Sequence, residues 1–232
     1  MQGLFITATD TGAGKTHCAS LIASELRSAG HRVGCYKPVC SGGEVAADGR
    51  LRWEDIQILS DAIDHRFPIE RICPQTFAAP LAPPAAARHE NRNVDPSLLR
   101  TGAQWWSDRV DFLCVEGVGG LLCPLTETET VADLAEDLGF PLLIVCPLIL
   151  GTINHTLLTI EVAEARNLSI AGLVLNHIRP VTDEVSESTI AEIVSRTTVP
   201  ILATMPFNER DRLRPMQGDE RISWVKHFGP QK

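Results

Sequence analysis

Lys15 and Thr16 close the glycine-rich run TATDTGAGKT, Thr7 to Thr16, which follows the apolar Leu4-Phe5-Ile6 and opens a helical pattern from Lys15 to Ala29. A strand-to-helix turn of small residues ending in Gly-Lys-Thr is a phosphate cradle. Backbone N–H groups of Gly12, Ala13 and Gly14 can curl round an anion, and the helix N-terminus adds partial positive charge. Lys15 then reaches terminal phosphates and the Thr16 hydroxyl ligates Mg²⁺. The cradle is a variant, because Thr9 stands where glycine is usual and Ala8 precedes it. An ordinary capped helix N-terminus is the competing reading.

Further polar residues fall where parallel sheets present ligands, at the C-terminal ends of strands or just beyond. Lys37 ends an apolar segment, Arg32 to Val39, that Pro38 halts. A lysine there reads as a site residue, with a snorkelling edge lysine as the alternative. Glu116 stands at the tip of DFLCVEGVGG, Asp111 to Gly120, where Gly117 and Gly119 flank Val118 and let a ligand approach the backbone. A carboxylate at such a tip serves a metal, and burying it calls for a cation nearby. A glutamate capping the next turn is the competing reading. Asp55, in the acidic first turn of a helix starting near Trp53, is a further ligand candidate or merely complements the helix dipole. Asn176 lies at the tip of Ile170 to Ile178. Its amide offers a donor and an acceptor to a nucleobase edge, or forms a turn. The helix start at Leu150, Gly151, Thr152, Ile153 and Asn154 is a second anion site.

With 232 residues, 44% hydrophobic and 5% aromatic, the chain suits one α/β domain with a Val, Ile, Leu and Ala core. The formal net charge is −8 and the cations form no run, which disfavours nucleic acid as a partner. The seven cysteines form no CxxC pair and sit mostly in apolar runs, so they read as buried reduced thiols of a cytoplasmic protein. No secretory segment opens the chain and no apolar run is long enough to span a membrane, so a soluble protein is expected.

Six or seven strands alternating with helices predict a doubly wound, mostly parallel sheet, a three-layer α/β/α domain of the P-loop NTPase type over residues 1–232. Helices are expected from Pro96 to about Asp108, Thr130 to Leu138 and Glu184 to Thr197, and strands over Pro141 to Pro147 and Pro200 to Met205. Ser41-Gly42-Gly43 through Gly49 reads as a flexible loop. Pro80, Pro83 and Pro84 are expected to exclude a regular helix or central strand between Pro74 and Asn93. The tail from Glu209 is charged and uninformative.

The segments TDTGAGKT (9–16), YKPVCSG (36–42), WED (53–55), TFAAPLAPP (76–84), EGVGGLLCPL (116–125), LGTINH (150–155), LNH (175–177) and MPF (205–207) carry a resemblance to the dethiobiotin synthetases, from Thr7 to about Asn208. The specific part is the KPVxSG and EGxGG pair at this spacing. The resemblance implies an ATP- and Mg²⁺-dependent ligase that closes the ureido ring of dethiobiotin from diaminopelargonic acid and CO₂. The implied route runs through a carbamate and a carbamic–phosphoric anhydride. Lys15 would serve the γ-phosphate, and Lys37 would bridge it to the carbamate. Thr16, Asp55 and Glu116 would hold Mg²⁺, and Thr11 and Ser41 the reacting end of the substrate. His17 and Gly117 to Gly119 would line the nucleotide, with Asn176, His177, Pro206, Phe207 and Asn208 round the adenine. Leu150 to Asn154 would take the substrate carboxylate across a homodimer interface. The chain departs from the family at Ala8, usually glycine, and at Gly12, often acidic. A partition- or division-type ATPase switch is the alternative, but it carries a lysine where this chain has Asp10.

Overall fold

The computed structural model describes residues 1–180, 182–207, 209, 211–216 and 222–228. Strand β1 (Gln2–Ala8) is buried from Gly3 onward, as a strand covered on both faces must be. Helix α1 (Lys15–Ser28) follows and turns Cys18, Ala19, Ile22, Ala23 and Leu26 to the core. After β2 (Val33–Tyr36) come the short strands β3 (Cys40–Ser41), β4 (Glu44–Val45) and β5 (Leu51–Arg52). An excursion through α2 (Glu54–Ala62), α3 (Ile69–Ile72), β6 (Thr76–Phe77), α4 (Pro83–His89) and α5 (Pro96–Gln104) leads to β7 (Phe112–Glu116). Strands and helices then alternate: α6 (Val131–Leu138), β8 (Leu142–Pro147), α7 (Thr152–Ala165), β9 (Ile170–Asn176), α8 (Asp183–Val194) and β10 (Ile201–Met205). A short β11 (Arg214–Pro215) and a 3₁₀ turn (Trp224–His227) follow.

Among the described residues, the main sheet has 7 strands in the order β11-β10-β9-β8-β1-β7-β2. Its pairings are parallel except β11 on β10. The chain leaves the adjacent strands β1 and β8 toward opposite edges. Right-handed crossovers therefore place α1 and α7 on opposite faces and open a crevice at the C-terminal ends of β1 and β8. The doubly wound α/β architecture is as the sequence predicts. Among the described residues, no helix is long and apolar enough to cross a membrane. All seven cysteines are free, and only Cys123 is not fully buried.

Several local expectations are corrected. A regular helix, α4, does occupy part of the proline-rich segment, because Pro83 and Pro84 take its first turn. The N–H that each lacks would have had no partner inside the helix there. The expected loop after Ser41 is instead partly paired backbone. Cys40–Ser41 lies parallel to Thr76–Phe77, and Glu44–Val45 pairs antiparallel with Leu51–Arg52. Helix α5 stops at Gln104, short of Asp108, and the next turns bury Trp106 completely. The charged tail also holds anchors. Trp224 is 2% exposed and its Nε1 donates to Glu25 Oε2 at 2.7 Å, while Phe228 meets Phe112 edge-on at 5.1 Å.

Truncating such a buried tryptophan leaves a cavity, so Trp224→Ala should lower stability by about 3 kcal/mol in urea denaturation. An unchanged midpoint and slope would mean that the tail does not dock on α1.

Candidate nucleotide and metal site

The loop between β1 and α1 depends on glycine where φ is positive, 73° at Gly12 and 95° at Gly14. Gly14 precedes α1 without any side-chain cap, so the helix's first N–H groups are left for another acceptor. Asp10, which the sequence marks only as standing where a switch-type ATPase has lysine, shapes the loop. Its Oδ1 accepts from Thr11 N at 2.7 Å and its carbonyl from Lys15 Nζ at 3.4 Å. Its signal was an Asp just before a Thr-Gly turn. Thr9 Oγ1 is buried with no hydrogen-bond partner. Burial lowers the pKa of Lys15, against an opposing pull from Glu116.

Beside this loop lies a charge cluster assembled by register. Tyr36 of β2 pairs with Val115 of β7, so the next residues, Lys37 and Glu116, emerge side by side. Lys37 Nζ donates to Glu116 Oε1 at 2.6 Å and to Asp55 Oδ2 at 2.5 Å. Both Lys37 and Glu116 are buried, 3% and 1% exposed. Burial alone would lower the pKa of Lys37, but Glu116 and Asp55 outweigh it and hold the ammonium well up. Burial would raise Asp55, yet Lys37 and Thr16 keep it below the ordinary carboxylate range. Thr16 Oγ1 donates to Glu116 Oε1 at 2.8 Å. Glu116 Oε2 is buried without a partner. Two carboxylates, one of them with an orphaned oxygen, and a hydroxyl form a hard-oxygen set that fits Mg²⁺.

The remaining candidates spread along the crevice. Thr11 and Gly119 line a groove of about 450 Å³ with Asp10, Cys123 and His155. Gly117 N donates to Ile6 O at 2.9 Å, which seats the turn carrying Val118 against β1. His17 is half-buried in the first turn of α1, and Ser41 is half-buried in β3, opposite Phe77. Asn176 Nδ2 donates to the Ala13 carbonyl at 2.8 Å. His177 N donates to Met205 O at 2.9 Å, tying the tip of β9 to the strand that leads into Pro206 and Phe207. Asn208 lies outside the described residues. Leu150, Gly151, Thr152 and Ile153 line a different cavity, about 470 Å³, which also holds Arg179. Asn154 is exposed near it. Arg179 follows the run Ile170 to Ile178 directly, and nothing in the sequence distinguishes it from an ordinary surface arginine.

A parallel sheet whose first strand delivers a Gly-Lys-Thr loop to a carboxylate on the next strand defines a P-loop nucleotide-binding protein. A family model described as an AAA domain matches residues 2–211. The ATP-dependent dethiobiotin synthetase of Anaeromyxobacter dehalogenans strain 2CP-1 is 45% identical over 210 residues, 89% of this chain and 91% of that one. That of Rhodopirellula baltica is 36% identical over 211 residues, covering 87% and 82%. The chain belongs to the ATP-dependent dethiobiotin synthetase family. Among solved structures, MinD cell division protein of Aquifex aeolicus has a TM-score of 0.51 at 15% identity, over 98% of this chain and 94% of that one. Chloroplast FtsY of Physcomitrella patens also gives 0.51 at 16%, with this chain spanning 65% of its length. These two share the fold.

Removing Lys37 leaves Glu116 buried without its cation, so Lys37→Met should destabilise the nucleotide-free protein by about 3 kcal/mol in chemical denaturation. Adding Glu116→Gln should recover most of that loss, and a double variant no better than the single one would contradict the pairing. Asp55, with its depressed pKa, stabilises fully above about pH 4 and loses that contribution as pH falls further.

Proposed function

We propose that this chain closes the ureido ring of dethiobiotin from diaminopelargonic acid and CO₂, converting ATP to ADP and phosphate. The observation that carries this reading is the Lys37–Glu116–Asp55 cluster at the mouth of the Lys15–Thr16 loop, in a chain of that family. One substrate amine adds to CO₂ and loses a proton, giving a carbamate. The carbamate oxygen takes the γ-phosphoryl group as ADP leaves, and the second amine then displaces phosphate to close the ring. Two anions must approach each other, which needs fixed positive charge and positioning. Lys15 holds the γ-phosphate and Lys37 bridges it to the carbamate. Thr11 and Ser41 orient the amines. Gly12 to Gly14 and His17 line the phosphates, with Gly117 to Gly119 closing the opposite wall. Asn176, His177, Pro206 and Phe207 seat the adenine.

Thr16, Asp55 and Glu116 would hold Mg²⁺, which when bound supplies positive charge to the transferring phosphates. At the start of α7, Leu150 to Ile153 line their own cavity in one chain, with Asn154 exposed next in sequence. That fits a substrate carboxylate bound there by the second subunit of a homodimer. Free buried thiols fit a reducing cytoplasm. The switch-type ATPase reading is not favoured, because Asp10 replaces its signature lysine.

Incubation with ATP, diaminopelargonic acid and ¹³C-bicarbonate should place the label in the ureido carbonyl of dethiobiotin, and unlabelled or absent product would refute the reaction. Lys37→Met should cut turnover by roughly 10²-fold while leaving Mg·ATP affinity within a few-fold. Equal turnover would remove Lys37 from the chemistry. Glu116→Gln should raise the Mg²⁺ concentration needed for half-maximal rate, and an unshifted requirement would take Glu116 out of the metal set.

A further inference from the structure

The side chain of Asn176 bonds to the phosphate loop itself. Its Nδ2 donates to the Ala13 carbonyl across 163 positions of sequence. The base of that side chain is fixed on both flanks. Asn176 pairs with Pro147 of β8 and Met205 of β10, and its carbonyl accepts from Leu148 N at 2.7 Å. The amide thus projects from the interior of the sheet toward a loop that has no side-chain cap of its own. A peptide unit is planar and trans, so holding the Ala13 carbonyl toward Asn176 turns the Gly14 N–H the opposite way. Contact here is close. A Cβ on Gly14 would lie 2.2 Å from Asn176 Nδ2, so a side chain there would push the amide off the Ala13 carbonyl, and the φ of 95° disfavours one in any case.

We infer that Asn176 is a positioning residue of the phosphate cradle: it latches the Ala13–Gly14 peptide so that the Gly14 N–H faces the nucleotide phosphates, whatever base the nucleotide carries. This rests on the phosphate-binding role proposed above for the loop. It is compatible with base reading, because the amide keeps a second Nδ2 proton and the Oδ1 lone pairs. One side chain would then join both ends of the nucleotide, with the base on the free side of the amide and the phosphates behind the latched peptide.

The test is Asn176→Ala, with Asn176→Asp as a variant of the same shape that turns an acceptor toward the Ala13 carbonyl. Hydrogen exchange in the nucleotide-free proteins should speed up about fivefold or more at amides of residues 12–16 in both variants, with the sheet unchanged. Purine riboside triphosphate, which lacks the exocyclic amine of ATP, should bind Asn176→Ala with Mg²⁺ about fivefold more weakly than it binds the wild type, by calorimetry. Unchanged exchange together with unchanged purine riboside triphosphate affinity, while ATP affinity alone falls, would overturn the latch and leave Asn176 a reader of the base. A wild-type protein that binds neither triphosphate would defeat the phosphate-binding reading instead, and the exchange measurement, which needs no nucleotide, would still decide the latch.

Discussion

One buried ammonium holds the site together. Lys37 Nζ sits between Glu116 and Asp55, within 2.6 Å of each, where two carboxylates would otherwise repel and desolvate at once. Each partner arrives on a different element: Lys37 just past β2, Glu116 at the end of β7, and Asp55 in the first turn of α2. The register of β2 on β7 brings the first two together. The third is held by its neighbour Trp53, whose Nε1 donates to the Phe77 carbonyl at 3.0 Å. Breaking the pair would leave a charge stranded among apolar side chains.

The sheet explains why the charge gathers at this end. β1, β7, β8 and β9 are buried almost throughout, so their polar side chains can emerge only where the strands stop. The crevice between β1 and β8 is where a doubly wound sheet accepts a ligand. The phosphate loop begins there, with Lys15 and Thr16 facing the Glu116 tip and Asn176 behind. On the proposed reading the same geometry serves phosphoryl transfer. A cradle of N–H groups and two lysines would hold anions that repel each other in water, while the carboxylates hold the counter-cation.

Much of this was legible in the sequence, because a polar residue inside an apolar run is conspicuous. Lys37 before Pro38, Glu116 before its glycines and Asn176 at the end of IAGLVLN each stood out that way, and the structure links Asp55, Lys37, Glu116 and Thr16 in one hydrogen-bonded chain. Features set by position within an element or by distant partners were not legible. Pro83 and Pro84 read as breakers, although at the first turn of α4 they are compatible with helix. Trp224 and Phe228 were hidden in a charged tail, since what anchors them is Glu25 and Phe112 far earlier in the chain. The donor role of Asn176 toward Ala13 likewise needs the third dimension. So does the separation of Leu150 to Ile153 into a cavity away from the phosphate loop.

On the proposed reading, this crevice couples ATP cleavage to ring closure on a diamine. Phosphate release from Mg·ATP, followed with and without diaminopelargonic acid and bicarbonate, tests it most directly. The account predicts release only when both are present, with one dethiobiotin formed per phosphate. Release at the same rate without them would contradict it and leave a P-loop ATPase of another kind.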